Sequence, residues 1–206
     1  AGHEVDVKLN LESDVLEEII GGYAALVVRS ETQVTAKLIE SGRNLQVVGR
    51  AGVGVDNIDL QAATRHGIPV VNAPTGNTIA AAEHALAMML SLARHIPQAD
   101  ASMRHGEWRR RDFMGVEVRN KTLGVIGLGK VGSEVARRAK AFQMRILAHD
   151  PFVSQEFARK AEVELTDLDQ LIAESDFITI HTPLTTNTRE LLGPGQFESL
   201  KPGVRI

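Results

Sequence analysis

Three glycines follow an apolar run in the stretch T-L-G-V-I-G-L-G-K-V-G, and Gly127, Gly129 and Gly132 have the spacing G-x-G-x-x-G. In such a loop the first glycine permits a tight turn, the second lets a pyrophosphate approach the backbone, and the third lets the next helix pack close to the strand. The N–H groups and the dipole of that helix then face the phosphates. The chain holds 18 glycines, so the spacing alone is weak evidence, because a glycine-rich turn is often only a turn.

The residues after the loop strengthen the prediction of a dinucleotide site. Apolar residues recur with helical spacing after Gly132, and a second apolar run, R-I-L-A-H-D, ends in Asp150. That carboxylate lies about 20 residues after the loop, where an acidic residue accepts hydrogen bonds from the adenosine ribose. Because a carboxylate there repels the extra phosphate of NADP, NAD is the expected cofactor. The alternative is a surface carboxylate that opens the turn before Pro151.

A third apolar run, D-F-I-T-I, leads into His181, Thr182, Pro183 and Leu184. Ligands of an open parallel sheet bind beyond the carboxyl ends of its strands, so this loop is expected to border the cofactor. We interpret His181 as a hydrogen-bonded structural residue rather than a catalytic base, because the sequence identifies no carboxylate partner for it.

Short β-branched runs alternate with helical stretches along the chain, which is typical of βαβ units and a parallel sheet in an α/β fold. Several runs are almost continuously apolar, which predicts burial on both faces. The predicted strands are 5–9, 26–29, 47–50, 70–72, 123–127, 145–148 and 177–180, and residues 203–206 resemble the beginning of another.

The segment A-P-T-G-N at 73–77 interrupts this alternation, and we predict a domain boundary between residues 73 and 74. A long helix follows, up to about Arg94. It is apolar nearly all round, so it is expected either to be enclosed by two surfaces, of two domains or two subunits, or to be an ordinary core helix. The segment 105–115, which contains Trp108, Phe113 and several arginines, is interpreted as a solvated connection with an aromatic anchor, in preference to a nucleic-acid contact.

The composition limits the partners. The 206 residues are 43% hydrophobic, enough for one large or two small domains with real cores. A formal net charge of -3 attracts neither nucleic acid nor an anionic membrane, and the lack of cysteine excludes disulfides and thiolate metal sites and suits a reducing cytoplasm. No signal peptide is visible, and the most apolar stretch, 79–93, is too short to span a membrane. Both ends of the sequence look cut.

Several specific blocks together resemble the D-2-hydroxyacid dehydrogenase family, and within it the branch that acts on 3-phosphoglycerate. The resemblance spans nearly the whole chain. The blocks are L-V-V-R-S at 26–30, V-V-G-R-A-G-V-G-V-D-N-I-D at 47–59, N-A-P-T-G-N-T at 72–78, the glycine loop, H-D-P at 149–151 and H-T-P-L at 181–184.

The resemblance implies an incomplete flavodoxin-like substrate-binding domain at 1–73 and a Rossmann-type NAD-binding domain at 74–206, incomplete at its C-terminus. The implied substrate residues are Arg29, Arg50, Val53 and Gly54, and the residue type of Asn77, just before the long helix, suits an additional neutral donor to the substrate. The implied NAD residues are Val53, Thr78, Gly127, Gly129, Lys130, Val131, Gly132, Asp150, His181, Thr182 and Pro183. Guanidinium groups can donate paired hydrogen bonds to a phosphate, whereas the alternative for either arginine is a surface ion pair.

Similarity to the family also implies the reaction, in which a hydride moves from C2 of 3-phosphoglycerate to NAD. Family members supply an arginine, a glutamate and a histidine beyond the equivalent of Ile206, so no catalytic residue is assigned within this sequence and the 206 residues alone are expected not to turn over. The alternatives are another 2-hydroxyacid substrate, such as glyoxylate or hydroxypyruvate, and an NAD-sensing corepressor-like protein. The expected assembly is a homodimer or a homotetramer, with no nucleic acid or membrane as partner.

Overall fold

The computed structural model describes residues 2–206, so Ala1, with which the predicted first domain begins, lies outside the described residues. The chain divides into two compact units, one ending at Asn77 and the other spanning Thr78–Ile206. The division lies a few residues after the predicted boundary. The backbone connects residues after the predicted boundary with the first unit. The N–H of Gly76 donates to the carbonyl oxygen of Ala73, and the N–H of Ala73 in turn donates to the carbonyl oxygens of Arg50 and Gly52.

The first unit is a three-stranded parallel sheet with the order β1-β2-β3. Thr35 and Asp59 each accept a hydrogen bond from a backbone N–H in the first turn of the helix that follows, which satisfies a donor that the helix itself cannot. Apolar side chains of the helices and of β2 form one core, with Val48 fully buried. The elements are α1 Ser13–Ile19, β1 Ala25–Val28, α2 Ala36–Ser41, β2 Val47–Arg50, α3 Leu60–Arg65 and β3 Val70–Asn72.

The predicted strand at residues 5–9 is wrong. Val5, Val7 and Leu9 alternate as in a strand, but their side chains are 76%, 79% and 77% exposed and the segment belongs to no sheet in residues 2–206. A strand is stabilised by hydrogen bonds to a neighbour, and no described strand pairs with this one.

The second unit contains a four-stranded parallel sheet with the order β6-β5-β4-β7. Strand β4 is buried along its whole length, as its continuous apolar character predicts. The elements are α4 Thr78–Arg94, α5 Ile96–Arg104, β4 Thr122–Ile126, α6 Lys130–Ala141, β5 Arg145–His149, α7 Gln155–Lys160, β6 Glu164–Leu165, α8 Leu168–Glu174, β7 Phe177–Ile180 and α9 Pro194–Glu198.

The predicted strands agree with these elements to within one residue, apart from three differences. The segment 5–9 is not a strand, and β6 was not predicted, because two residues are too few to show an alternating pattern. The predicted beginning of a strand at 203–206 contributes a single parallel bridge between Phe177 and Arg205.

Helix α4 buries one stripe of side chains in the second unit and exposes the opposite apolar face. The buried residues recur every three or four positions, and Met88 and Leu92 lie on the exposed face. The connection after α5 contains a short 3-10 turn, in which Phe113 is half-buried. Trp108 in the same connection is 77% exposed, so of the two aromatic residues only Phe113 has the burial of an anchor. No helix within residues 2–206 combines the length and the apolar character needed to cross a membrane.

Candidate functional site

The glycine loop lies at the carboxyl edge of the second sheet, between β4 and α6. Gly127 has a φ of +91°, a conformation that side chains disfavour, and its N–H donates to the carbonyl oxygen of His149 at 2.9 Å. A Cβ at Gly127 would lie 2.9 Å from the carbonyl carbon of His181. The ends of β4, β5 and β7 therefore converge on this loop, as the sequence predicts.

The other two glycines of the loop differ in what surrounds them. A Cβ at Gly132 would lie 2.0 Å from the carbonyl oxygen of Gly127, so only glycine lets α6 begin this close to the loop. A Cβ at Gly129 would meet no heavy atom within 4 Å. The protein's own packing requires Gly132, whereas the space beside Gly129 is open.

Asp150 follows β5 directly, and its carboxylate reaches the loop. One oxygen, Oδ2, accepts a hydrogen bond from the backbone N–H of Leu128 at 2.8 Å, and Oδ1 accepts one from the N–H of Phe152 at 2.9 Å. The second bond belongs to the turn after β5, whereas the first connects the carboxylate with the glycine loop. A carboxylate oxygen has two lone pairs, so each oxygen retains capacity for a further donor.

His181 is held by its own strand end. Its backbone N–H donates to the carbonyl oxygen of Ile126 at 2.8 Å, and its Nε2 lies 2.9 Å from Oγ1 of Thr179. Burial lowers the pKa of the His181 imidazole, which favours the neutral ring at neutral pH. The ring also lines an apolar cavity of about 410 Å³ together with His84 and Arg205. The structure thus gives the His181 ring a hydroxyl partner, Thr179.

Hydrogen bonds of two threonines stabilise the rest of the loop that follows β7. The Oγ1 of Thr188 donates to the carbonyl oxygen of Pro183 at 2.5 Å, and the N–H of Thr185 donates to the same hydroxyl at 2.8 Å. Thr182 lies next to Gly127, since its Cγ2 would be 3.0 Å from a Cβ there. The predicted residue Thr182 therefore lies beside the glycine loop, and Pro183 is connected by a hydrogen bond to the turn that follows.

The predicted substrate residues of the first unit gather at the carboxyl edge of its sheet. Arg29 follows β1, Arg50 ends β2, and Val53 and Gly54 belong to the exposed loop after β2. The Nδ2 of Asn72, at the end of β3, donates to the carbonyl oxygen of Val53 at 2.6 Å. Strand pairing thus brings together two guanidinium-bearing residues and the loop, since the carboxyl ends of parallel strands share one edge.

One implied NAD residue belongs to a different unit from the others. Val53, which the resemblance also implies for NAD, lies in the first unit, whereas the remaining implied NAD residues lie in the second. Asn77 is the exposed last residue of the first unit, and Thr78 begins α4 in the second. Within residues 2–206 no group of three or more His, Asp or Glu side chains could hold a metal ion.

Comparison with models of protein families shows to which family the chain belongs. The model of the D-isomer specific 2-hydroxyacid dehydrogenase, NAD binding domain, matches residues 86–206, which include the glycine loop, Asp150 and His181. The chain belongs to the D-isomer specific 2-hydroxyacid dehydrogenase family. Its second unit is therefore an NAD-binding domain of that family.

Relatives and solved structures agree with this D-2-hydroxyacid dehydrogenase affiliation. The D-3-phosphoglycerate dehydrogenase of Archaeoglobus fulgidus is 57% identical over 205 residues, which cover 100% of this chain and 39% of that protein. The Synechocystis protein of the same name is 55% identical over 203 residues, 98% of this chain and 37% of its own. The D-lactate dehydrogenase from Aquifex aeolicus, complexed with NAD and lactic acid, has a TM-score of 0.84 at 28% identity and covers 91% of this chain and 56% of that chain. The chain spans less than two fifths of the length of the two phosphoglycerate dehydrogenases.

The residues of this D-2-hydroxyacid dehydrogenase chain fit an NAD molecule. The open space beside Gly129 leaves room for a diphosphate against the backbone, and α6 begins at Lys130 with its N–H groups at that loop. Thr78 is 8% exposed, yet its hydroxyl has no hydrogen-bond partner among residues 2–206. A buried hydroxyl without a partner costs free energy, so a polar group from a ligand would satisfy it.

Sequence reasoning missed two asparagines of the dehydrogenase chain. Asn57 donates to the carbonyl oxygen of Arg29 and accepts from Nε of Arg50. Asn72 donates to the carbonyl oxygen of Val53, but neither asparagine was assigned a role. Asn57 lies within the block that carried the resemblance, and its place in that block was the available signal. Its partners are up to 28 residues away in sequence, so only the folded chain identifies them.

Proposed function

We propose that this chain forms the NAD-binding core and part of the substrate-binding domain of an enzyme that oxidises 3-phospho-D-glycerate to 3-phosphohydroxypyruvate, the first step of L-serine biosynthesis. The observation that carries the proposal is the 57% identity, over 100% of the chain, to the D-3-phosphoglycerate dehydrogenase of Archaeoglobus fulgidus. The chemistry of the residues at the two sheet edges supports it.

The second unit binds and orients the cofactor. When NAD is bound, it accepts the hydride from C2 of the hydroxyacid. The N–H groups at the start of α6, around Lys130 and Val131, donate to the diphosphate, and Asp150 accepts hydrogen bonds from the ribose hydroxyls. The negative charge of Asp150 repels the additional phosphate of NADP. The remaining cofactor contacts come from Thr78, His181, Thr182 and Pro183.

The first unit binds the substrate. Arg29 and Arg50 donate to the phosphate of 3-phosphoglycerate, because planar guanidinium groups match phosphate oxygens with paired hydrogen bonds. The backbone N–H groups near Val53 and Gly54 receive the carboxylate, and Asn77 adds a neutral donor. When the carboxylate is bound by these N–H groups, an unphosphorylated hydroxyacid has no second anionic group for the two arginines, so they favour a phosphorylated substrate.

The proposed role of His181 is to position the β7 loop rather than to transfer a proton. Its bond to Thr179 and the lowered pKa of its ring support a neutral side chain. A catalytic base needs to take up a proton at neutral pH, and burial of the ring opposes this.

The proposed assembly is a homodimer or homotetramer in the cytoplasm. The exposed apolar face of α4 and α5, with Met88, Leu92, Ile96 and Met103, supports a subunit contact, because the apolar residues extend over two successive helices. The lack of cysteine supports a reducing compartment.

Titration calorimetry of the chain with NAD, NADP, 3-phospho-D-glycerate and D-glycerate tests the proposal. We expect NAD to bind more tightly than NADP, and the NAD-saturated chain to prefer the phosphorylated acid. Arg29→Ala should weaken 3-phosphoglycerate binding about tenfold and leave D-glycerate almost unchanged. Arg43→Ala, another exposed arginine of the first unit, is the matched control. Absence of NAD binding, or equal affinity for the two acids, would contradict the proposal.

A further inference from the structure

Asn57 is a buried polar residue at the carboxyl edge of the first sheet, with only 5% of its surface exposed. Both protons of its Nδ2 are used, since this atom donates to the carbonyl oxygen of Arg29 at 2.8 Å and to that of Thr32 at 2.7 Å. Its backbone is fixed as well, because its carbonyl oxygen accepts from the N–H of Val34 at 2.8 Å. The amide therefore has one orientation, which directs Oδ1 toward β2.

That Oδ1 accepts a hydrogen bond from Nε of Arg50 at 3.3 Å. Asn57 thus connects the backbone of Arg29 with the side chain of Arg50, and both arginines are proposed phosphate ligands. Because the acceptor of the Arg50 Nε–H is a neutral amide oxygen, it does not compensate the positive charge, and the two terminal nitrogens are the donors that point to an anion in this proposal. A carboxylate in the place of Asn57 would compete with the anion for the same cation.

The Nη1 end of the Arg50 guanidinium lies against Gly52. A Cβ at Gly52 would be 1.8 Å from Nη1 and 2.9 Å from Cζ of Arg50, although the nearest atoms are those of a flexible side chain rather than backbone. Replacing this glycine would therefore displace the guanidinium without breaking the loop. Asn57 and Gly52 together restrict where the charge of Arg50 can lie.

We infer that Asn57, with Gly52, positions the Arg50 guanidinium next to Arg29 and so determines selectivity for a phosphorylated hydroxyacid over an unphosphorylated one. Asn57 is a positioning residue, because it acts through Arg50. The inference rests on the proposed function, in which the two arginines receive the phosphate. Because the Arg50 guanidinium is already held in place, less side-chain entropy is lost when the phosphate binds.

The test measures the affinity of the NAD-saturated chain for 3-phospho-D-glycerate and for D-glycerate in two variants. Asn57→Ser removes the acceptor of Arg50, and Gly52→Ala displaces the guanidinium from the other side. Each should weaken 3-phosphoglycerate binding about five- to tenfold and D-glycerate binding less than about twofold. Asn44→Ser and Gly22→Ala are the matched controls, because Asn44 is exposed and donates to Gly21, and a Cβ at Gly22 meets nothing within 4 Å.

A double-mutant cycle separates positioning from a purely structural role. In an Arg50→Ala background, Gly52→Ala should no longer change the affinity for 3-phosphoglycerate. Asn57→Ser should change it less than in the unaltered chain, because only its bonds to the carbonyl oxygens of Arg29 and Thr32 are then left to lose. If Asn57→Ser weakens both acids equally, or if its effect is just as large without Arg50, the inference is wrong. If the Asn57→Ser variant does not fold, the Gly52→Ala variant alone tests the inference. Its added methyl group meets the side chain of Arg50 rather than the backbone, so this variant is expected to fold. Equal affinity of the unaltered chain for the two acids would instead overturn the proposed function, and the inference with it.

Discussion

The carboxylate of Asp150 accepts a hydrogen bond from the backbone N–H of Leu128 at 2.8 Å. Leu128 lies between the first two glycines of the loop after β4, and Asp150 follows β5, so one side chain joins the ends of two adjacent strands. The same carboxylate is the proposed ligand of the NAD ribose. Its charge therefore affects both the shape of the loop and the choice of cofactor.

Removing that charge should change cofactor selectivity. Asp150→Asn is expected to weaken NAD binding about tenfold or more and to leave NADP binding unchanged or improved, because the repulsion of the extra phosphate disappears. Titration calorimetry with both cofactors measures the ratio. Asp167→Asn is the control, since Asp167 also accepts a backbone N–H, from Gln170 at 2.8 Å, but caps α8. Equal loss of NAD affinity in the two variants would contradict the prediction.

Replacing either of two glycines of the same loop by alanine should change a different property: stability for Gly132 and NAD affinity for Gly129. Gly132→Ala places a Cβ 2.0 Å from the carbonyl oxygen of Gly127 and should lower the free energy of unfolding by about 1–3 kcal/mol or more. Gly129→Ala projects into open space, so stability should stay nearly unchanged while NAD affinity falls. Chemical denaturation and calorimetry measure the two effects. An unaltered NAD affinity in Gly129→Ala would show that the diphosphate does not lie there.

The buried ring of His181 should make stability depend on pH. Burial lowers its pKa in the folded state below the value of about 6.5 that it has in the unfolded chain. The unfolded state therefore binds more protons as the pH falls, so the stability present above about pH 6.5 is lost progressively as the pH falls through the folded-state pKa. Urea denaturation between about pH 8 and about pH 5 should give a shallower dependence for His181→Asn than for the unaltered chain. If the free energy of unfolding depended on pH equally in both proteins, the pH dependence could not be assigned to His181.

The exposed Trp108 should contribute to subunit association. Large aromatic side chains dominate the free energy of protein contacts, and Trp108 lies in the connection that follows α5. Trp108→Ser is expected to raise the dimer dissociation constant about tenfold or more, as measured by sedimentation velocity. Phe197→Ser removes an exposed aromatic residue from α9 and serves as the control. A monomeric unaltered chain, or equal effects of the two substitutions, would refute the proposed contact.

The pattern of apolar residues within each segment was sufficient to predict most of the strands. Continuous apolar runs predicted β4, β5 and β7, because burial on both faces of a parallel sheet requires apolar side chains at nearly every position. The same criterion failed at residues 5–9, where the alternation of Val5 and Val7 suggested a strand. A strand also needs a neighbour, and the pattern within one segment contains no information about its neighbours.

The amino-acid sequence by itself determined the α/β class, the glycine loop with its acidic partner, and the family, because these depend on residue types at short spacings. Only the tertiary structure decided which atoms meet: Asp150 with the N–H of Leu128, Gly132 with the carbonyl oxygen of Gly127, and Asn57 with Arg29 and Arg50. Hydrogen bonds and steric contacts act over a few ångströms in space, and parallel strands bring together residues that lie far apart along the chain.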